Sequence, residues 1–177
     1  MSKDIKKEEW LVLLMWNKVL IIFFIVFLGN ESFAKNTGLI FVSNEKTHDL
    51  SVVDPNTLEV INSIPTAKRP RDMHFNADKT LIYVACGDDD VIDIVDVETQ
   101  KVIGSLDTGP SPEAFMFSPD YKYIYVSNEE DSTLGVLDVN DNIIVDTIPT
   151  GAEPEGVLAT KSGSIVYVTS EVADMVH

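Results

Sequence analysis

The chain has 177 residues, enough for one domain with a sizeable core, and carries a formal net charge of −16. So acidic a surface argues against nucleic acid and anionic membrane as partners, and for solubility or a cationic partner. Its single cysteine, Cys86, leaves no internal disulfide to form.

The first element in chain order is the apolar run of residues 19–28, VLIIFFIVFL, preceded by Lys18 and followed by GNESFA. A positive start, a short apolar stretch and small residues at Ser32 and Ala34 are the layout of a secretory signal. Residues 1–34 are therefore expected to be a signal peptide cleaved after Ala34, with 35–177 as the mature domain, periplasmic or secreted. A start at Met15 is an alternative that gives a more compact signal. The competing reading is an uncleaved anchor from Trp10 to Leu28, which places Asn17 and Lys18 near its middle. Membrane contact is expected only if the segment stays uncleaved. Four lysines balance four acids through Ala34, so all of the net charge falls on residues 35–177.

From Leu39 onward the chain repeats itself. Phe41-Val42-Ser43-Asn44-Glu45 returns as Val84-Ala85-Cys86-Gly87, Tyr125-Val126-Ser127-Asn128-Glu129 and Tyr167-Val168-Thr169-Ser170-Glu171. Asp54, Asp96 and Asp138 are each 42 residues apart, as are Pro70, Pro112 and Pro154. Each repeat holds four short runs rich in β-branched and aromatic residues, separated by turn chemistry such as Ser118-Pro119-Asp120. Four strands every ~40–45 residues is the spacing of a propeller blade, and strands apolar on both faces suit a blade packed between two others. The predicted fold is all-β: a partial β-propeller of four-stranded, 42-residue blades.

Tyr-Val-Ser-Asn, then Leu-x-Val-x-Asp, Thr-Ile-Pro-Thr-Gly and a Pro-Glu-Gly or Pro-Arg loop, resembles the YVTN-repeat propellers. The stretches 43–46 and 68–71, with Gly109–Glu113 and Gly151–Gly156, more narrowly resemble the β-propeller proteins associated with PQQ-dependent catabolism. The resemblance covers residues 38–177 and implies a ring of about seven blades. On that reading the chain holds about three and a half blades, entering at a second strand and leaving in a third, and is expected to come from a truncated reading frame. Unpaired edges and bare blade faces would then favour association.

In a propeller the innermost strand lines the central channel, and the loop leading into it lies on the face where ligands bind. The corresponding residues are Lys68–Arg71, Ser111–Glu113 and Glu153–Glu155, and the loops beginning at Asn44 and Asn128 open on the same side. Arg69 and Arg71 are the only arginines. Beside one proline they form a fork for carboxylates, supplied either by an anionic ligand or by Glu113 and Glu155 of neighbouring blades. The candidate binding residues are Arg69, Arg71, Glu113, Glu155, Asn44 and Asn128. No metal site is expected. Asp138, Asn140 and Asn142 begin like a calcium loop, but Ile143 stands where its glycine belongs and Pro149 where its glutamate belongs. His48, His74 and His177 occupy unrelated repeat positions, and no cofactor is expected.

No GxSxG, HExxH, CxxC or Walker sequence occurs. The expected function is that of an exported, non-catalytic binding or scaffold propeller. By resemblance it is accessory to PQQ-dependent alcohol catabolism, with an unknown protein, a quinoprotein dehydrogenase system or a small anionic ligand as partner. The alternatives are a lactonase-type propeller enzyme using Glu113 and Glu155 as bases, and a membrane-anchored surface interaction protein.

Overall fold

The computed structural model describes residues 37–177; the expected signal, its cleavage point and the alternative anchor lie outside them. Fourteen strands form four antiparallel sheets in which each strand pairs with its neighbours in sequence. Sheet one contains β1 (Ile40–Asn44), β2 (Asp49–Val53) and β3 (Val60–Pro65). Sheet two runs β4 (Pro70–Phe75), β5 (Leu81–Cys86), β6 (Val91–Asp96) and β7 (Lys101–Asp107). Sheet three runs β8 (Pro112–Phe117), β9 (Tyr123–Asn128), β10 (Thr133–Asp138) and β11 (Ile143–Pro149). Sheet four contains β12 (Pro154–Ala159), β13 (Val166–Ser170) and β14 (Met175–Val176). Sheets two and three are complete four-stranded blades. Among the described residues no helix is long and apolar enough to cross a membrane.

The turns explain why the chain reverses so often. Left-handed backbone recurs in register at His48, Asp90, Ser132 and Asp174, at Leu58, Gln100 and Asn142, at Arg69, Ser111 and Glu153, and at Lys79, Tyr121 and Gly163. Such φ values are unfavourable for side-chain-bearing residues, so each must be held by local bonds. The repeat aspartates supply some of them. Asp54 accepts the amides of Asn56 and Thr57, Asp96 that of Thr99, and Asp138 those of Asn140 and Asp141. A register shift in the β2–β3, β6–β7 and β10–β11 pairings falls at the same repeat position each time. These bulges add local twist.

The core lies between blades rather than inside one. Leu50, Val52 and Ile64 of the first sheet meet Ile82, Val84, Cys86 and Val95 of the second. The other face of the second sheet, with Tyr83, Ala85, Ile92 and Leu106, meets Phe115, Ile124, Val126 and Leu137 of the third. Strand β5 thus sends alternate side chains into two different cores, which is why its sequence is apolar on both faces. Each fully buried aliphatic or aromatic side chain contributes about 1.5–3 kcal/mol. The peripheral strands depart from that expectation: β11 is exposed at every position and β7 at all but Leu106. As the outer edge of its blade, each lies where the sheets are least covered by their neighbours.

Candidate functional site at the channel mouth

Strands β4, β8 and β12 are the inner strands, and each begins at its proline, Pro70, Pro112 or Pro154. Proline fixes one dihedral and excludes the right-handed helical region for the residue before it. Arg69, Ser111 and Glu153, just ahead of these prolines, all adopt left-handed backbone. Their carbonyls accept the amides of Gly87, Glu129 and Glu171, so each lead-in loop is tied to the loop after the second strand. The preceding blade is tied in as well. His48 Nδ1 accepts the Arg69 amide at 3.1 Å, and Asp90 Oδ1 accepts the Ser111 amide at 2.9 Å. The acidic run 88–90 is thus partly structural; Asp89 also accepts the Lys68 amide at 2.8 Å.

Both arginines of the second blade reach across this framework. The Arg69 guanidinium bonds Glu113 Oε1, lies 3.1 Å from Glu129 Oε2 and from Ser111 Oγ, and sits 3.8 Å from both Glu45 and Asp88. Arg71 Nη2 lies 2.5 Å from Glu113 Oε2, out of line for a hydrogen bond, and 3.6 Å from Glu155; its Nη1 is 3.4 Å from Glu45. Two guanidinium groups therefore hold carboxylates from the first, third and fourth blades. Glu113 is the centre, with its side chain only 1% exposed. Burial is the main cause that pushes its carboxyl up to about 7, helped by a shared hydrogen bond with Glu129 and opposed by Arg71 and Arg69. That same bond with Glu113, with Arg69 and Ser111 adding to it, holds Glu129 below its ordinary value despite partial burial. Burial also raises Glu155, against the pull of Arg71. Burial works against the Arg69 charge, but Glu129, Glu113 and Asp88 outweigh it and raise the group. An open cavity of about 540 Å³ lies over the cluster, lined by Ser43, Glu45, Arg71, Asp72, Glu113 and Glu155 among others.

Of the six residues singled out from sequence, four come together here: Arg69, Arg71, Glu113 and Glu155. Asn44 and Asn128 lie outside the cluster. Each sits one residue before a mouth glutamate and, by strand alternation, turns the other way. Asn44 donates to Asp49 at 3.0 Å and to Ser51 at 2.8 Å, and Asn128 donates to Thr133 at 3.2 Å while packed against Gly109 and Gly135. Three cluster members escaped sequence reasoning, namely Glu45, Glu129 and Asp88. The repeat itself carried a signal for two of them, because Glu45, Glu129 and Glu171 share one repeat position with Gly87. Gly87 is the exception for a steric reason: a Cβ there would lie 3.2 Å from Arg69 Nη1 and 3.3 Å from its Cδ. The missing side chain is the path Arg69 takes to Glu113. Among the described residues no group of three or more potential ligands is placed to hold a metal ion.

Antiparallel four-stranded blades in sequential order, joined through inner strands that converge on one charged mouth, define a β-propeller. Residues 29–176 match the family described as YNCE-like beta-propeller, and the chain belongs to that family. No curated protein gives a significant match. Among solved structures, the chain is similar to hydrazine synthase from Kuenenia stuttgartiensis, with 22% identity and a TM-score of 0.68 over 76% of this chain and 39% of that one. It is also similar to the dihydro-heme d1 dehydrogenase NirN in complex with DHE, with 21% identity and a TM-score of 0.62 over 77% of this chain and 30% of that one. A third is a functionally unknown protein from Desulfotomaculum acetoxidans DSM 771, with 17% identity and a TM-score of 0.57 over 70% of this chain and 42% of that one. At these identities the likeness establishes the fold alone. The chain spans less than half the length of each of these proteins.

Proposed function

We propose that the protein is an exported binding propeller that engages a partner at the channel mouth, in a role accessory to PQQ-dependent alcohol oxidation. The observation that carries the binding reading is the Arg69–Arg71–Glu113 cluster. Two half-buried cations from one blade tie the loops of three others into a fixed rim, and a preformed rim lowers the entropic cost of docking. The accessory role rests on the Pro-Arg and Pro-Glu loops that resemble those of the PQQ-associated propellers. Two measurements test it. Disrupting the gene should slow PQQ-dependent alcohol oxidation by the host, and the purified protein should retain a quinoprotein dehydrogenase from a periplasmic extract, with Glu155→Ala weakening the retention. Unaltered alcohol oxidation together with no retention would remove the proposal.

A second reading follows from Glu113 itself. A carboxyl that titrates near neutrality beside a cavity suits general acid–base work, as a lactonase requires. Hydrolysis of sugar lactones that disappears in Glu113→Gln would favour this enzyme over the binding role.

A further inference from the structure

The inner strands have a second end. Strands β4, β8 and β12 run from their prolines at the acidic mouth to Phe75, Phe117 and Ala159, and there they enclose an open cavity of about 320 Å³. That volume is at the lower limit of small-molecule sites. Its walls include Phe75, Met116, Phe117 and Tyr121, and its charged or chargeable members are His74 and Lys161. The wall is held in place by the strands themselves. Met116 Sδ accepts the Ala159 amide at 3.2 Å, linking β8 to β12, and the Phe117 ring meets Tyr83 and Phe115 edge-on and Tyr121 at a tilt, with centroids 5.0, 6.0 and 5.1 Å away.

His74 is fixed as well. Its Nε2 lies 3.0 Å from Asp72 Oδ2, and that carboxylate also accepts the amides of Phe115 at 3.1 Å and Met73 at 2.9 Å. The ring packs edge-on against Phe115 at 5.0 Å. The bond to Asp72 is the main cause that raises the imidazole toward its charged form, with burial opposing. Asp72 balances that charge, but Lys161 has no carboxylate within ion-pair distance among the described residues. In a chain of net charge −16, this cavity is therefore a place where positive charge exceeds negative beside aromatic wall.

We propose that this distal cavity binds a small monocarboxylate with an apolar or aromatic body, the carboxylate facing Lys161 and His74 and the body lying against Phe75, Met116, Phe117 and Tyr121. The ligand's charge complements the unpaired Lys161 at this cavity, and its body removes apolar wall from water. This site is separate from the mouth cluster and stands whether or not the accessory role does.

The test is calorimetric titration of the purified chain with 3-phenylpropionate and with 3-phenylpropan-1-ol, which shares its body but not its charge. The acid is expected to bind about tenfold more tightly than the alcohol. Lys161→Ala should cost the acid about tenfold and leave the alcohol unchanged, whereas Lys101→Ala, an exposed lysine on β7, should change neither. Equal affinity for acid and alcohol, no effect of Lys161→Ala, or no binding of the acid at millimolar concentration would each overturn the proposal.

Discussion

At the scale of single residues, Glu113 and Gly87 carry the most testable consequences. The folded protein raises the Glu113 carboxyl from 4.5 to about 7, chiefly by burial, so folding takes up a proton at this site. The linked contribution is complete below the ordinary glutamate value and is lost as the pH rises through about 7. Glu113→Gln should therefore flatten the pH dependence of the urea midpoint between those two values, whatever it does to the midpoint itself. Gly87→Ala presses a methyl group against the Arg69 side chain, which its carboxylate partners hold in place. Overpacking of this kind costs about 1–3 kcal/mol. Gly104→Ala, with nothing within 4 Å of the new Cβ, should by contrast be neutral or gain a few tenths of a kcal/mol (about 0.4–1 at most), and the pair can be compared by denaturant unfolding. Glu113 was open to inspection as the partner of an unusual arginine pair. Gly87 was not, because its meaning lies in which side chain passes over it.

At the scale of the element, the inner and middle strands do the work of cohesion and the outer strands little. Phe115 on β8 is fully buried in the core between the second and third blades and touches the rings of His74 and Phe117. Phe115→Ala should cost about 3–5 kcal/mol in chemical unfolding. Val60→Ala, on the peripheral strand β3 and 62% exposed, should stay within about 0.5 kcal/mol. Sequence periodicity could place the strands and their turns, since β-branched runs and aspartate turns recur at fixed distance. It could not say how exposed the peripheral strand would be, because Ile143-Ile144-Val145 on exposed β11 reads as apolar as Tyr123-Ile124-Tyr125-Val126 on β9. Strand alternation also keeps Asn44 and Asn128 outside the cluster: a shift of one residue from Glu45 and Glu129 moves a side chain from the mouth into its own hairpin.

At the scale of the whole molecule, the charge is the dominant long-range term. An excess of 16 negative charges repels itself, and salt screens that repulsion more than it weakens the partly buried arginine cluster. Exposed pairs such as Lys46–Glu45 and Lys68–Asp89 offer little to lose. Raising the ionic strength from about 10 mM to about 0.2 M should therefore raise the melting temperature, by about 2–4 °C if the screened repulsion amounts to about 1 kcal/mol, as calorimetry can read directly.

The amino-acid sequence by itself determined the blade: its 42-residue period, its turn positions and the alternation that makes strands two-faced are all local or repeated, and repetition makes a local signal legible. It also brought Arg69, Arg71, Glu113 and Glu155 to one face, since they share repeat positions around the inner-strand prolines. Only the tertiary structure decided that these charges satisfy one another across four blades, that Gly87 opens the path between them, and that a second cavity with an unpaired Lys161 lies at the far end. Those facts depend on how one repeat differs from the next and on where the differing side chains meet, and distance between blades is not written in the period.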